Sequence, residues 1–454
     1  MSKNELKRLH LNRKKKYMDP VLIKVIQFFL SLSLLIVLHE LGHFIPARMF
    51  GTRVEKFFLF FDIKFALFKK KIGETIYGIG WLPLGGYVKI SGMIDESMDN
   101  EQMQQPPQPW EFRSKPAWQR LIIMLGGVTV NLILGVLIYI MIMFVWGKNV
   151  LTQSDVPNGL EASPVVEALG FRDGDIILAF DGVPLENLND AFRILLVRSP
   201  ETARVLHADG TEESIAIPKD FGQQLFKSGE QPFSVFVLAE IETVEPGSPA
   251  EEAGLMSGDI IRAINGIAMD SWSEVRGFFN SYENTEATLG VERDGVTTDI
   301  QVAVRDDNTI GIRVLLPEIQ TTYITYDVGQ SIVEGIRYGY WTLYDYVAQF
   351  KFVFTKEGAS QLGGFGTIGS LFPGAWDWQA FWHTTALISI ILAFMNVLPI
   401  PALDGGHVMF LAYEMITGRK PHDRVMEIAQ MVGIFLLLGL FLYANANDVV
   451  RFLT

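Results

Sequence analysis

The residues best suited to chemistry form the string HELGH at residues 39–43. On a helix, positions i and i+4 share a face, so the imidazoles of His39 and His43 can bind one metal ion. Glu40 lies off that line but within reach of a metal-bound water, where it could serve as a general acid and base. The string interrupts an apolar run, where an unpaired carboxylate is costly, and this context favours a metal site.

A third metal ligand must come from another part of the chain, because a catalytic zinc takes three protein ligands and keeps one position open. The chain has no cysteine, so histidine and carboxylate remain as ligands. Glu55 is the nearest downstream carboxylate, but it lies in the VEKFF segment that leaves the first apolar stretch. We favour Asp404, which lies in the string NVLPIPALDGGH.

The string around Asp404 is built to break a helix. Pro399 and Pro401 remove backbone donors, and Gly405-Gly406 should let the backbone turn tightly beside the aspartate. Unwound backbone at membrane depth is expected only where it lines a cavity. The alternative for Asp404 is an N-cap of the next helix, and we interpret the nearby His407 as an ordinary loop residue.

Four stretches are apolar enough to position these residues within a bilayer, which takes about 20 helical residues to span. We predict transmembrane helices at residues 18–50, 121–146, 380–404 and 425–446. The first is a poor signal peptide, because its apolar run continues into HELGH without a small-residue cleavage site. Residues 325–375 are apolar and aromatic but include Glu334 and Arg337, and we predict an interfacial amphipathic helix there.

Charge is distributed unevenly along this chain, whose formal net charge is −13. Residues 148–320 hold 12 basic and 30 acidic side chains, and the acidic balance argues against nucleic acid as a partner. Residues 47–120 are mildly basic, so the positive-inside rule places them in the cytoplasm and the acidic region outside. The rule also places the strongly basic residues 1–17 outside. Either a basic tail is tolerated there or synthesis starts at Met18.

The acidic region contains a repeated pattern. Residues 163–182 read SPVVEALGFRDGDIILAFDG, and residues 248–266 read SPAEEAGLMSGDIIRAING. Both have Ser-Pro, then Gly-Asp-Ile-Ile, then Asp-Gly or Asn-Gly, as expected for a duplicated unit. An Ile-Ile strand leading into a tight turn predicts a small β-rich domain, which we place at residues 155–235 and again at 236–316.

The second copy resembles circularly permuted bacterial PDZ domains through SPA, AGL, GDII and ING. The resemblance implies a partly open β-barrel with two helices that binds peptide tails by adding a strand. The first copy departs from the pattern, with ALGF where AGL is usual. The alternative is that both copies only fill space.

HELGH in the first span and NxxPxPxLDGG in the third resemble the site-2 protease family of intramembrane zinc metalloproteases. The string GWLPLGGYVK and the two PDZ-like domains extend the resemblance to about residues 18–450. It implies a polytopic α-helical membrane protein with about four transmembrane helices and two inserted PDZ-like β-rich domains. It also implies the bacterial inner membrane as the location, with the PDZ-like domains outside the cytoplasm.

The resemblance implies roles for individual residues. His39, His43 and Asp404 become the ligands of one Zn²⁺ ion, and Glu40 becomes the catalytic acid–base. Asn396 would help to position the substrate. A membrane-associated β-loop within the cytoplasmic residues 51–120 would pair with unwound substrate, through Gly85, Gly86, Tyr87, Val88 and Lys89.

The second span departs from the family at one place. It carries Gly126-Gly127 and Asn131 where the family usually has Gly-Pro-x-x-Asn, and Val128 takes the place of the proline.

The implied function is cleavage of transmembrane segments of single-span membrane proteins, such as anti-sigma factors after a first extracytoplasmic cut. The implied partners are these substrates, the lipid bilayer and peptide tails at the PDZ-like domains. An alternative is a catalytically inactive PDZ scaffold, which the retention of Glu40 beside three candidate ligands argues against. A zinc transporter would need a second intramembrane site, and the sequence offers none.

Overall fold

Six long helices organise the described part of the first of two compact units in the chain. The computed structural model describes residues 18–83, 85–93 and 105–453. The first unit comprises the residues up to 147 and those from 325 onward. Its long helices are α1 (Pro20–Met49), α2 (Ala117–Trp146), α3 (Val328–Gln349), α4 (Trp378–Val397), α5 (Asp404–Thr417) and α6 (Asp423–Leu453). Short helices lie at Phe112–Ser114, Phe350–Phe354, Lys356–Gln361 and Phe365–Ser370.

Four helices of the described residues are long and apolar enough to cross a membrane, namely α1, α2, α4 and α6. Their number agrees with the prediction, but their limits differ. Helix α2 begins before residue 121, and α6 continues past residue 446. The predicted segment 380–404 divides into α4, an unwound stretch at residues 398–403, and the first residue of α5. The expectation about residues 1–17 lies outside the described part of the chain.

Polar caps fix where the helices of this unit begin. The side chain of Asp19 accepts a hydrogen bond from the Val21 N–H, at 2.7 Å, immediately before Pro20 in the first turn of α1. Asp377 caps α4 in the same way, and Asp327 forms a capping box at the start of α3. Each cap satisfies backbone donors that a helix leaves unpaired at its first turn.

Helix α2 is the central helix of the unit, because it packs against α1, α3, α4 and α5. Glycines allow several of these contacts. A Cβ on Gly126 would collide with the carbonyl oxygen of Gly42 in α1, and one on Gly135 would fall 2.7 Å from Ile390 in α4. Small residues at such crossings let helix backbones approach closely. The position of α2 therefore sets the positions of its neighbours.

Helix α3 lies within the segment predicted to be an interfacial helix. It packs along α2, where a Cβ on Gly335 would fall 2.6 Å from the backbone of Ile140. Tyr338 of α3 and Tyr139 of α2 also bring their rings to a centroid distance of 4.7 Å. The helix forms as predicted, and its placement at the membrane interface stays a prediction.

A four-stranded sheet follows α1. Its strands are β1 (Val54–Leu59), β2 (Phe61–Ile72), β3 (Thr75–Leu82) and β4 (Tyr87–Ile90). Their order is β2-β3-β1-β4, with β1 parallel to β3 and antiparallel to β4. Strand β4, which contains most of the predicted β-loop, is therefore an edge strand among the described residues.

The second unit, residues 148–324, consists mainly of short strands. They are β5 (Lys148–Val150), β6 (Leu160–Ala162), β7 (Ile176–Phe180), β8 (Val183–Pro184), β9 (Thr202–Leu206), β10 (Glu212–Ala216), β11 (Phe233–Val235), β12 (Ile241–Val244), β13 (Ile260–Ile264), β14 (Ile267–Ala268), β15 (Glu286–Arg293), β16 (Val296–Ala303), β17 (Ile312–Val314) and β18 (Thr322–Ile324). Helical turns lie at Gln153–Asp155, Pro164–Glu167, Leu188–Asp190, Ala191–Arg193, Ile194–Arg198, Phe221–Ser228, Pro249–Glu252 and Trp272–Asn280.

The two halves of this unit have sheets of matching strand order, β8-β7-β9-β10 and β14-β13-β15-β16. Each half has its own hydrophobic core, built around side chains such as Ile177 in the first and Ile261 in the second. The predicted tight turns form at Asp181-Gly182 and Asn265-Gly266, where both residues of each pair have positive φ. Two-residue hairpin turns with this geometry favour Asp-Gly and Asn-Gly.

The aspartate of Gly-Asp-Ile-Ile is buried in both halves but pairs with different cations. Asp175 lies 2.6 Å from Nδ1 of His207, whereas Asp259 accepts a hydrogen bond of 2.7 Å from Nε of Arg293. His207 is also buried, and its Nε2 lies 3.0 Å from Glu213. The hydrogen bond to Asp175, aided by that to Glu213, raises the pKa of His207 above its ordinary value.

We expect the first half of this unit to lose stability as the pH rises above neutrality. A histidine whose pKa is raised in the folded state stabilises the fold through its protonated form. This contribution is fully present below the unfolded pKa of about 6.5 and is lost as the pH rises through the folded value. Hydrogen exchange of amides in β7 and β9, corrected for intrinsic rates, should reveal this loss in the full chain.

The second half provides the matched control, because Arg293 does not titrate near neutrality and residues 236–324 contain no histidine. Amides in β13 and β15 should show no comparable loss, and His207→Gln should remove the pH dependence from the first half. An equal decline in protection in both halves, or an unchanged decline in His207→Gln, would contradict this role.

Candidate metal centre

Three side-chain atoms of the first unit converge on one point. His39 and His43 lie one turn apart in α1, and their Nε2 atoms are 3.3 Å apart. Asp404 begins α5 and brings Oδ2 to 3.3 Å from Nε2 of His39 and 3.4 Å from Nε2 of His43. The three atoms therefore form a nearly equilateral triangle, assembled from two ends of the chain.

The size of this triangle fits a metal ion. Ligand bonds of about 2.0–2.1 Å in tetrahedral geometry separate the ligand atoms by about 3.3–3.4 Å. Oδ2 of Asp404 is buried and makes no hydrogen bond of acceptable geometry within the described part of the chain, although both histidine nitrogens are within 3.4 Å. The three atoms thus converge on a common centre. Among the described residues this is the one cluster of such side chains that could hold a metal.

The protonation of His43 also fits a metal ligand. Its Nδ1 lies 2.8 Å from the carbonyl oxygen of Ile123 in α2. A carbonyl oxygen can only accept, so Nδ1 carries a proton, and in the neutral ring Nε2 then has a free lone pair. The lone pair is on the nitrogen that faces His39 and Asp404.

A break in helical structure between α4 and α5 places Asp404 at this point. Pro399 and Pro401 lack the backbone donor that a continuous helix needs. Ala402 adopts a left-handed backbone with φ of 80°, and its N–H donates to Oε1 of Gln430 at 3.1 Å. Helix α6 therefore supplies a partner for the unwound backbone, as unwound structure in a membrane protein requires.

The two glycines after Asp404 have a different role from the one predicted. Gly405 and Gly406 both lie in α5 without positive φ, and the left-handed turn is made by Ala402. They are needed for space, because a Cβ on Gly406 would fall 2.7 Å from the carbonyl oxygen of Ile400. The expectation of a loop at His407 is wrong, since this residue lies in α5.

A cavity of about 790 Å³ opens beside the three converging atoms. Every residue predicted for the site lines it, namely His39, Glu40, His43, Gly85, Gly86, Tyr87, Val88, Lys89, Asn396 and Asp404. Asn131 and Gln430 line it too, although sequence reasoning gave them no role in the site. The signal available for Asn131 was that a polar residue stands in an apolar span, four positions after Gly127. Nothing in the sequence distinguished Gln430.

Strand β4 lies beside Glu40. A Cβ on Gly86 would fall 2.5 Å from Ile36 of α1 and 3.6 Å from Cγ of Glu40, so a glycine is needed for this close approach. Val88 and Glu40 both line the cavity. Residues 86–88 therefore border the cavity next to Glu40.

The polar side chains of β4 are engaged elsewhere in the sheet. Tyr87 stacks on Phe58 and donates a hydrogen bond of 2.8 Å to Asp62. Lys89 pairs with Glu55 across the sheet at 3.5 Å, so Glu55 belongs to β1 and not to the cluster of possible metal ligands. What β4 can offer to a bound peptide is mainly its backbone.

Comparison with known proteins agrees with this chemistry. The sequence profile of peptidase family M50 matches residues 27–440. The chain is 30% identical to a Neisseria meningitidis protein named as a putative zinc metalloprotease, over 94% of this chain and 99% of that protein. It is 28% identical to the regulator of sigma E protease of Haemophilus influenzae, over 93% of this chain and 98% of that protein. It is 27% identical to the regulator of sigma-E protease RseP of Escherichia coli, over the same shares.

Gly127 of α2 lies directly against both histidine rings, and this contact generates a prediction. A Cβ there would fall 2.6 Å from Cε1 and 2.8 Å from Nε2 of His39, and it would collide with Nε2 of His43. Gly127→Ala should displace the converging atoms. Because overpacking costs about 1–3 kcal/mol, we expect zinc affinity to fall by roughly tenfold or more. Chelator competition on the purified full chain measures this affinity.

Gly439→Ala is the matched control, because Gly439 lies in a spanning helix and a Cβ there would meet no atom of the described residues within 4 Å. This variant should bind zinc as the unaltered chain does. Equal zinc affinity in Gly127→Ala and Gly439→Ala would show that the histidine rings tolerate the added methyl group.

Proposed function

The chain belongs to peptidase family M50 and is a multi-pass inner-membrane zinc metalloprotease of the site-2 type, and on that premise we propose that it cleaves transmembrane segments of single-span membrane proteins. The observation that carries the proposal is the content of one cavity. Three convergent ligand atoms, the carboxylate of Glu40 and the edge strand β4 all border it.

We assign His39, His43 and Asp404 as the zinc ligands and Glu40 as the catalytic acid–base. When bound, zinc supplies a Lewis acid that makes a water molecule acidic enough to attack a peptide carbonyl near neutral pH. Glu40 takes a proton from the attacking water and passes it to the leaving nitrogen. The place of Glu40 on α1 supports this role. It lines the cavity, while the two histidines of HELGH point at the common centre.

The substrate must be unwound before cleavage, because a helix keeps its carbonyls in internal hydrogen bonds. We propose that the unwound segment pairs with β4 through residues 85–89, as a peptide adds a strand to an exposed sheet edge. The close approach of Gly86 to Glu40 supports this arrangement, since a segment paired with β4 would lie beside the general base. Asn396, which lines the cavity from the end of α4, would help to position the substrate.

The class of substrate follows from the relatives. Two of them are named as regulators of sigma E, and we propose anti-sigma factors already cut outside the membrane as substrates for this chain as well. We further propose that the two halves of the second unit are PDZ-like domains that lie outside the cytoplasm and bind peptide tails. Their matching sheet order and separate cores support two independent domains.

The role of Glu40 can be tested separately from metal binding. Glu40→Gln should retain about one zinc per chain yet lose cleavage, because the amide cannot accept the proton. His39→Ala, His43→Ala and Asp404→Ala should each lose zinc. Metal analysis and appearance of a cleaved membrane fragment give the two readouts. Glu74→Gln, at an exposed carboxylate, is the control and should retain both zinc and cleavage. Zinc loss in Glu40→Gln comparable to that in His43→Ala would refute the assignment.

Pairing with β4 can be tested by cross-linking, because the chain contains no cysteine and single cysteines can be introduced cleanly. Val88→Cys in a Glu40→Gln background should form disulfides with cysteines scanned along the substrate segment. We expect the yield to alternate with a period of two, as side chains do along an extended strand.

Leu67→Cys supplies the control, since Leu67 is exposed on β2 at the opposite edge of the sheet. It should give no alternating pattern with the same substrates. A period of three to four residues at Val88→Cys would indicate a helical substrate and contradict strand pairing.

A further inference from the structure

Helix α2 presents three groups to the metal centre at intervals of four residues. The carbonyl of Ile123 contacts His43, the bare Cα of Gly127 faces both histidine rings, and the side chain of Asn131 reaches His39. Residues four apart lie on one face of a helix. Asn131 has no exposed surface, although it lies in a helix that is otherwise suited to lipid.

The hydrogen bonding of Asn131 shows what this side chain does. Its amide nitrogen is placed 3.1 Å from Nδ1 of His39, while its Oδ1 is buried without a partner among the described residues. The two ends of an amide have nearly the same shape, and the hydrogen-bond network decides which end is which. Rotating the amide by half a turn gives its oxygen the partner that it lacks.

The orientation decides whether His39 can bind a metal. If the NH₂ group donated to Nδ1, the ring proton would reside on Nε2, the nitrogen that faces His43 and Asp404. If the amide oxygen faces Nδ1, that nitrogen carries the proton and Nε2 has a free lone pair. Only the second arrangement is compatible with the converging atoms described above.

We infer that Asn131 is a positioning residue for the metal centre, whose side-chain oxygen accepts a hydrogen bond from Nδ1–H of His39. It fixes the tautomer and the orientation of His39, as the carbonyl of Ile123 does for His43. The inference rests on the proposed ligand role of both histidines. Metal-binding histidines generally need such an outer partner, and its loss costs about 10–100-fold in metal affinity.

The backbone of α2 at Asn131 is held independently of its side chain. Its carbonyl oxygen accepts a hydrogen bond of 2.7 Å from Oγ of Ser389 in α4, and both groups are buried. A substitution at residue 131 leaves this contact between α2 and α4 available. A change in the metal centre can therefore be separated from a loss of helix packing.

The test compares Asn131→Leu and Asn131→Asp in the purified full chain. The leucine has similar size but no acceptor, so zinc affinity by chelator competition should fall about 10–100-fold. The aspartate accepts but cannot donate, so it should keep the affinity within about threefold. The visible spectrum of the Co²⁺-substituted protein, which reports ligand geometry, should change in the first variant and be retained in the second. Thr129→Val, at an exposed position on the same helix, is the control and should change neither.

Two results would overturn the inference. Unchanged zinc affinity and Co²⁺ spectrum in Asn131→Leu would show that His39 needs no partner at this position. A loss in Asn131→Asp equal to that in Asn131→Leu would show that the amide donates. Should the leucine variant fail to accumulate, the aspartate variant alone decides. Failure of the proposed function is recognised separately, because zinc binding would then be unaffected by His39→Ala and His43→Ala.

Discussion

The structure of the site depends on the contact between the backbones of α1 and α2 at Gly42 and Gly126. A side chain at either position would meet the carbonyl or Cα atoms of the other helix. Gly42 lies inside HELGH, so the backbones of the two helices are in contact beside the histidines. This contact brings the carbonyl of Ile123 and the bare face of Gly127 against their rings. One of the two variable positions of H-E-x-x-H is thus occupied by a glycine that the helix contact requires and that the proposed metal ligation does not.

A second constraint is that irregular backbone needs partners wherever water is scarce. The stretch at residues 398–403 meets part of this need through Gln430 of α6, which accepts a hydrogen bond from the N–H of Ala402. This unwound stretch and strand β4 border the same cavity. Asn131 and Gln430, two polar side chains of apolar helices, therefore lie beside the cavity, where Asn131 contacts His39 and Gln430 contacts the backbone of Ala402.

The sequence was informative where the signals are local and uninformative where the answer depends on which helices meet. Helical spacing alone predicts that His39 and His43 share a face with Glu40 nearby. The prolines before Asp404 predict that the helix ends there. The position of Asn131 against His39 depends on the register of α2 against α1, which no local pattern encodes. The same applies to Gln430.

The tight turn was expected at Gly405-Gly406 because glycine favours turns, yet a non-glycine residue makes it and the glycines provide room. The hairpin turns of the second unit were predictable because Asp-Gly and Asn-Gly act through their own backbone.

The edge of β4 gives a physical reason why a helical substrate could be opened without an external source of energy. Strand β4 is an edge strand among the described residues, and backbone groups along such an edge have to be hydrated, because they cannot be left bare in an apolar setting. Under the proposed function, a substrate strand replaces that water with backbone hydrogen bonds of similar strength. The internal bonds that the substrate helix gives up are then exchanged rather than lost. An amide–carbonyl hydrogen bond is worth about 4–6 kcal/mol in an apolar medium, so each pair formed along β4 replaces a bond of similar value that the opened helical turn gives up. Under the proposed function, opening about one turn is sufficient, because Glu40 and the three converging atoms would act on a single peptide bond.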